Sequence, residues 1–285
     1  MTNKTVLSIL NSKYINLTKS EKKVADLIFE IPDDIVYMTV SDISKKAKVG
    51  DSTVLRLCKK IGFSTFQDFK LNLLQELSNQ EDLIKFNDYK IRKEDSLESI
   101  AEKVVGYDNS IMKETLSLID KRILDKVRHA IINANKIHLY GVGASAITCQ
   151  DVALKFMRVG LNAISHTEFH TQMMTAALLK EDDVAIGVSF SGSSNDTNKI
   201  LKIAKKTGAT IISVTHHADS QITKLSDLTL LHGGRENPLS GGDFSSKIAQ
   251  MGLFDILYNI IYRDIKESIL SNSKKTSKAI SETML

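Results

Sequence analysis

The chain has 285 residues, two cysteines and a formal charge of +4, which is long enough for two domains with separate cores. With 42% hydrophobic and 25% charged residues, its composition is globular and excludes the low-hydrophobicity balance of a disordered chain. No apolar run reaches the roughly 18 residues that a membrane span needs, and the opening residues do not read as a signal peptide, so a soluble cytoplasmic protein is expected.

Residues 1–78 read as all-helical. Thr18-Lys-Ser-Glu21 is a capping box, with Val24, Leu27 and Ile28 forming the apolar stripe behind it, and Pro32 ends that helix. Thr39-Val-Ser-Asp42 opens a short second helix that runs to about Ala47. A third starts at Gly50-Asp51-Ser52, runs to Ile61 and stops at Gly62, and a fourth spans Phe66 to Leu77. On the third helix, Val54, Leu57, Cys58 and Ile61 fall at i, i+3, i+4 and i+7 and make one buried stripe. That spacing turns Ser52, Thr53, Arg56, Lys59 and Lys60 outward.

Residues 45–60 carry six basic side chains (Lys45, Lys46, Lys48, Arg56, Lys59 and Lys60) against one acidic, Asp51. A short helix, a tight turn and a second helix with a basic face form a helix-turn-helix, whose second helix enters the DNA major groove. Small hydroxyls at the entry, Ser52 and Thr53, allow close approach to base edges. Arg56 suits a guanine edge, while Lys45, Lys59 and Lys60 suit phosphates. A solvated basic face that binds nothing is the plainer alternative.

Residues 79–95 lose periodicity and become charge-rich, as a linker does, and a helical pair follows over 96–134. Strands then read at 136–140, 162–165, 184–189, 210–214 and 227–231 with helices between them, which predicts a parallel, helix-covered sheet. A long helix over 245–268 returns, and a polar tail, 271–285, is expected to fray. The fold class is therefore α/β: an N-terminal all-α helix-turn-helix domain followed by a parallel-sheet α/β domain. Cys58 and Cys149 match no metal or redox spacing and read as buried thiols, and no cofactor or metal is expected.

Two segments carry the chemistry of the second half. His138-Leu-Tyr-Gly141-Val-Gly143-Ala-Ser145 and Val188-Ser189-Phe-Ser191-Gly192-Ser193-Ser194-Asn-Asp-Thr197 each run from an apolar strand through a Gly/Ser turn into a helix. Such a turn aims backbone N–H groups and the positive end of a helix dipole at an anion. The first also satisfies Gly-x-Gly-x-x-Ala through Ala146, a weak dinucleotide fingerprint that has no use for a second turn. A Ser-rich helix cap would account for one such turn. Two of them predict a pocket for a phosphorylated small molecule.

The stretch from Val40 through Ser52-Thr53-Val-Leu-Arg56 and Lys60-Ile-Gly-Phe63 to Phe66-Gln-Asp-Phe69-Lys resembles the N-terminal domain of RpiR-type bacterial transcription regulators. Residues 128–262 resemble the SIS (sugar isomerase) domain that those regulators carry, a flavodoxin- or Rossmann-like fold. Lys48 stands where the family usually has Gly, in a turn position that favours a left-handed backbone. The resemblance implies that Ser189, Ser191 and Ser194, with Thr197 behind them, cradle a phosphate, and that Gly141, Gly143 and Ser145 line the sugar side. Glu168-Phe-His170-Thr-Gln172 is similar to the family's Asp-Pro-His-x-Gln stretch, which implies His170 and Gln172 near the sugar. Lys247 stands where the family's helix usually has Arg.

The implied protein is a regulator with a double-stranded DNA operator, a phosphosugar effector and a homodimeric or homotetrameric assembly, with interfaces expected on the helices at 96–134 and 245–268. The alternative is an aldose–ketose phosphate isomerase with an accessory DNA-binding domain. Isomerisation needs a positioned base, and among Glu168, His170, His216 and Glu236 no spacing singles one out, so no catalytic residue is assigned. His216-His217 read as a solvated loop or pocket rim, and His138 as packed within its strand.

Overall fold

The computed structural model describes residues 6–78, 91–234 and 244–282. They separate into two compact units, one formed by the residues up to Tyr107, the other by Asp108–Gly234 with the chain from Phe244 onward.

The first unit packs six helices around one core: α1 (Val6–Lys13), α2 (Lys19–Glu30), α3 (Pro32–Ile35), α4 (Val40–Lys46), α5 (Asp51–Ile61) and α6 (Phe66–Ser78). Thr18 and Glu21 close the expected capping box on α2, and Thr39 with Asp42 closes a second on α4. Pro32 follows the last residue of α2 and sits in the first turn of α3, where its missing N–H costs nothing. Val54, Leu57, Cys58 and Ile61 are all buried, against Val24, Ile28, Ile43 and Phe69 among others. Burial pushes the Cys58 thiol up to about 12, so it packs as an apolar group.

Between α4 and α5 the chain turns within four residues. The Val49 N–H donates to the Ser44 carbonyl at 2.8 Å, and Lys48 adopts φ +53°. The left-handed residue expected there is thus supplied by a lysine. Gly50 caps α5 without a side chain; the Ser44 hydroxyl instead donates to the Asp51 carboxylate. Gly62, at φ +109°, ends α5.

The division between the units falls within α7 (Leu97–Leu118), which is followed by α8 (Lys121–Asn133). The linker expected at 79–95 lies outside the described residues as far as 90. The described strands form a parallel sheet in the order β2-β1-β3-β4-β5, comprising β1 (Ile137–Tyr140), β2 (Ala163–Ser165), β3 (Val184–Val188), β4 (Thr210–Thr215) and β5 (Leu228–Leu231). Crossovers run through α9 (Ala144–Arg158), α10 (Phe169–Ala177), α11 (Asn195–Lys205) and α12 (Gln221–Leu225). The buried run over β3 matches a central strand covered on both faces.

The chain leaves β1 for β2 on one side and returns to β3 on the other. This reversal makes β1/β3 the switch point at which open α/β sheets bind ligands, outside the carboxyl ends of the strands. Tyr140 pairs with Gly187 in register, so both Gly/Ser turns leave the same edge side by side.

The C-terminal stretch differs from expectation. The long helix α13 (Phe244–Asp264) breaks near Ile265, and α14 (Lys266–Ser281) continues through most of the segment expected to fray. Ile269 is buried, the Asn272 amide donates to the Val159 carbonyl at 3.2 Å, and the Thr276 hydroxyl donates to the Arg158 carbonyl at 3.2 Å. These contacts cap the end of α9, an ordered role that polar composition conceals. Among the described residues, no helix is long and apolar enough to cross a membrane.

Candidate functional site

Two sites, one in each unit, gather the residues singled out by sequence. On the first, Lys45, Ser52, Arg56 and Lys59 are exposed. Thr53 is not: it is 7% exposed, because it lies one turn before Leu57 and so shares the packed face. Lys60 is exposed as expected, but it carries an ion pair that its position did not announce. Its ammonium lies 2.9 Å from Oε2 of buried Glu21 and donates to the Asn16 carbonyl at 2.8 Å. Burial works against the charge on Glu21, but hydrogen bonds from the Thr18 backbone and the Lys60 ammonium outweigh it and hold the carboxyl below its ordinary range. A buried carboxylate needs a cation, and Lys60 is the nearest.

In the second unit, the first turn is built around Gly141 and Gly143. A Cβ on Gly141 would lie 3.0 Å from the Ser145 carbonyl carbon, and Gly143, at φ +58°, has no side chain with which to cap α9. Gln172 is fully buried beneath it. Its Nε2 donates to the Gly141 carbonyl at 3.0 Å, and its Oε1 accepts from the Gly141 N–H at 3.3 Å. Gln172 thus braces the turn with both halves of its amide. Ser145 sits half-buried in the first turn of α9 and His170 is exposed on α10. Lys247 lies 4.0 Å from Asp151, so its charge is shared across α13 and α9.

The second turn continues directly from β3, where the Ser189 N–H donates to the Val214 carbonyl at 3.0 Å. Gly192 takes φ +60° so closely packed that a Cβ would lie 2.1 Å from the Ser220 hydroxyl. The Ser193 N–H donates to the Ser191 hydroxyl at 3.2 Å, and the Thr197 hydroxyl donates to that of Ser194 at 3.3 Å. Ser194 is the N-cap of α11, yet its side chain makes no cap hydrogen bond. The turn is therefore not a plain serine cap. Two helices begin without a side-chain cap at adjacent carboxyl ends, and their backbone donors need a partner.

Sequence reasoning missed what holds the second turn down. Phe190 stacks on His216 with ring centroids 4.9 Å apart, meets His217 edge-on at 5.8 Å, and lies 5.7 Å from His232. The Thr215 hydroxyl donates to the Phe190 carbonyl at 2.9 Å. His232 is fully buried; its Nδ1 lies 2.8 Å from the Gly233 carbonyl and its Nε2 has no partner among the described residues. Burial drives its imidazole down to about 4. The available signal was position: His232 directly follows β5 at the same carboxyl edge.

Of the four candidate bases, Glu168 is already committed to backbone donors. Glu168 caps α10, with one oxygen accepting from the His170 N–H at 2.8 Å and the other from the Thr171 N–H at 2.6 Å. Those bonds hold its carboxyl below the ordinary range. Glu236, another candidate, lies outside the described residues, and His138, read as packed within its strand, has its pKa lowered by burial there. Among the described residues, no group of three or more His, Cys, Asp or Glu is placed to hold a metal ion.

The helix-turn-helix domain of the rpiR family matches residues 4–80, and the SIS domain matches residues 130–260. An HTH-type transcriptional regulator of Haemophilus influenzae is 38% identical over 280 residues, covering 97% of this chain and 96% of its own. The chain belongs to the RpiR family of HTH-type transcriptional regulators. This RpiR-family regulator is also similar to RpiR of Escherichia coli K12, with 26% identity over 95% of the chain and 90% of that protein. The structure of the Vibrio vulnificus NanR protein complexed with ManNAc-6P matches with a TM-score of 0.86 and 26% identity, over 98% of this chain and 99% of that one. The sugar isomerase domain of an RpiR transcription factor from Sphaerobacter thermophilus shares the fold, with a TM-score of 0.56 over 62% of this chain and 96% of that one at 19% identity.

Proposed function

We propose that this regulator binds a duplex operator through α4 and α5, with an affinity controlled by a phosphorylated sugar seated at the carboxyl edge of β1 and β3. The observation that carries the reading is the pair of helix N-termini, α9 and α11, that start side by side without side-chain caps. Ser145, Ser189, Ser191, Ser193, Ser194 and Thr197 are assigned to the phosphosugar beside these termini, at a switch point where backbone N–H groups and helix dipoles favour a dianion. Gly141, Gly143 and Gly192 let the backbone close in, and His170 and Lys247 are assigned to the sugar side. The ManNAc-6P bound by NanR supports a sugar phosphate, with an N-acetylhexosamine 6-phosphate as the first ligand to try. A homodimer or homotetramer would present paired helix-turn-helix units to half-sites about one DNA turn apart.

A regulator of this kind needs a ligand with different affinity for two arrangements, not a base. The commitment of Glu168 to backbone donors supports the sensor over the isomerase. The test is thermal shift against hexose, pentose and N-acetylhexosamine phosphates, with the unphosphorylated sugars as controls. Stabilisation should grow with concentration, reaching about 2.7 kcal/mol at a hundredfold excess over Kd. A flat response across the panel would sink the reading.

A further inference from the structure

Among the described residues of the first unit, Glu21 is the one buried carboxylate. It occupies the third position of α2, where Oε2 accepts from the Thr18 N–H at 2.8 Å. The same oxygen lies 2.9 Å from the Lys60 ammonium. The other oxygen, Oε1, lies 3.7 Å from Nε of Arg56, whose side chain remains 64% exposed. Arg56 and Lys60 are four residues apart on α5, one above the other on the same face. A single buried carboxylate therefore addresses two cations of the helix assigned to the groove.

The geometry treats the two differently. Arg56 is approached from its Nε side at 3.7 Å, an ion pair longer than a hydrogen bond that leaves its terminal N–H donors for the paired acceptors of a guanine edge. Lys60 is closer, its side chain 36% exposed but its ammonium shared between Glu21 and the Asn16 carbonyl, so its charge is partly offset before DNA arrives.

We propose that Glu21 is a positioning residue for DNA recognition: it orients Arg56 toward base edges and removes Lys60 from the set of phosphate contacts. The proposal rests on the DNA-binding reading above and names the group that divides base reading from charge attraction along α5.

The test uses the full chain and a duplex selected by it from a randomised library, compared with a scrambled duplex of equal length, across 50 to 200 mM salt. Glu21→Gln retains the capping geometry, since Gln serves in a capping box, but loses the charge. Preference for the selected duplex should fall on the order of tenfold, in the range of one bidentate base contact. Binding to the scrambled duplex should tighten and its log–log salt slope should steepen by about one, because Lys60 is released to phosphate. In an Arg56→Ala background, Glu21→Gln should leave the preference unchanged. As an independent arm, Lys60→Met should leave the wild-type slope unaltered; a slope shallower by about one overturns the proposal. A Glu21 that served only folding would lower the melting temperature and weaken both duplexes together with no change in slope, which also overturns it. If the wild type prefers its selected duplex and Glu21→Gln keeps that preference, the proposal alone fails. If the wild type binds no duplex in a salt-dependent way, the functional reading fails and takes the proposal with it.

Discussion

Lys48 is a lysine held at φ +53° in the turn between α4 and α5. An L-residue in the left-handed region carries a cost of about 1–2 kcal/mol that glycine avoids, although glycine returns some freedom to the unfolded chain. Lys48→Gly should therefore stabilise the unit by up to about 1 kcal/mol. Slower amide exchange across α4 and α5 would show it, and unchanged or faster exchange would count against strain at this residue. Arg56→Ala should weaken binding to a selected duplex by about 1–3 kcal/mol, the worth of a bidentate base contact. Equal loss on selected and scrambled duplexes would move Arg56 from base reading to phosphate. Much of this surface was legible at single-residue level, because period 3.6 separated Val54, Leu57, Cys58 and Ile61 from Ser52, Arg56 and Lys59. Thr53 was misassigned because it lies at the edge of the stripe, above Leu57, where helical phase alone is ambiguous. The pairing of Lys60 was not legible because its partner, Glu21, is 39 residues away, and no local pattern announces a pair that only the packing of α2 against α5 creates.

At the scale of elements, the second turn of the SIS-domain unit leaves little room for substitution. Gly192→Ala combines a strained φ with a Cβ placed 2.1 Å from the Ser220 hydroxyl and 2.9 Å from Ile222 Cγ2. It should displace the turn and abolish phosphosugar-dependent stabilisation while the melt without ligand falls by a few degrees at most; an unaltered response would separate the turn from the ligand. Ser191→Ala removes the hydroxyl that accepts from Ser193 and should abolish the effector response while leaving ligand-free DNA affinity intact. The strands and both turns could be read from alternation and from Gly/Ser punctuation. What braces them could not: Gln172 beneath Gly141 and Phe190 on His216 are side-chain contacts between elements, invisible to any window along the chain. The helix α14 escaped for a related reason, since its Asn272 and Thr276 look like tail composition until the carbonyls of Arg158 and Val159 are placed beside them.

At the scale of the whole molecule, the buried imidazole of His232 links stability to pH. Its folded value, near 4, lies below the ordinary 6.5, so between those values the unfolded chain binds a proton that the folded chain refuses. Stability is then full above about pH 6.5 and declines as pH falls toward 4, by about 2 kcal/mol between pH 7 and pH 5. Urea unfolding at those two values should show that loss, and His232→Gln should flatten it; an equally steep decline in the variant would assign the effect to other groups.

The order of strands, β2-β1-β3-β4-β5, also bears on how the protein comes into being. The helical unit is built from contacts close in sequence and lies first in the chain, so it folds early during synthesis. The sheet cannot assemble its central pair until β3 has left the ribosome, and β3 still lacks β4 and β5 on its other side. The crevice between β1 and β3 therefore forms after the helical unit. A nascent chain thus completes its helix-turn-helix unit before the crevice proposed here for a sugar phosphate exists.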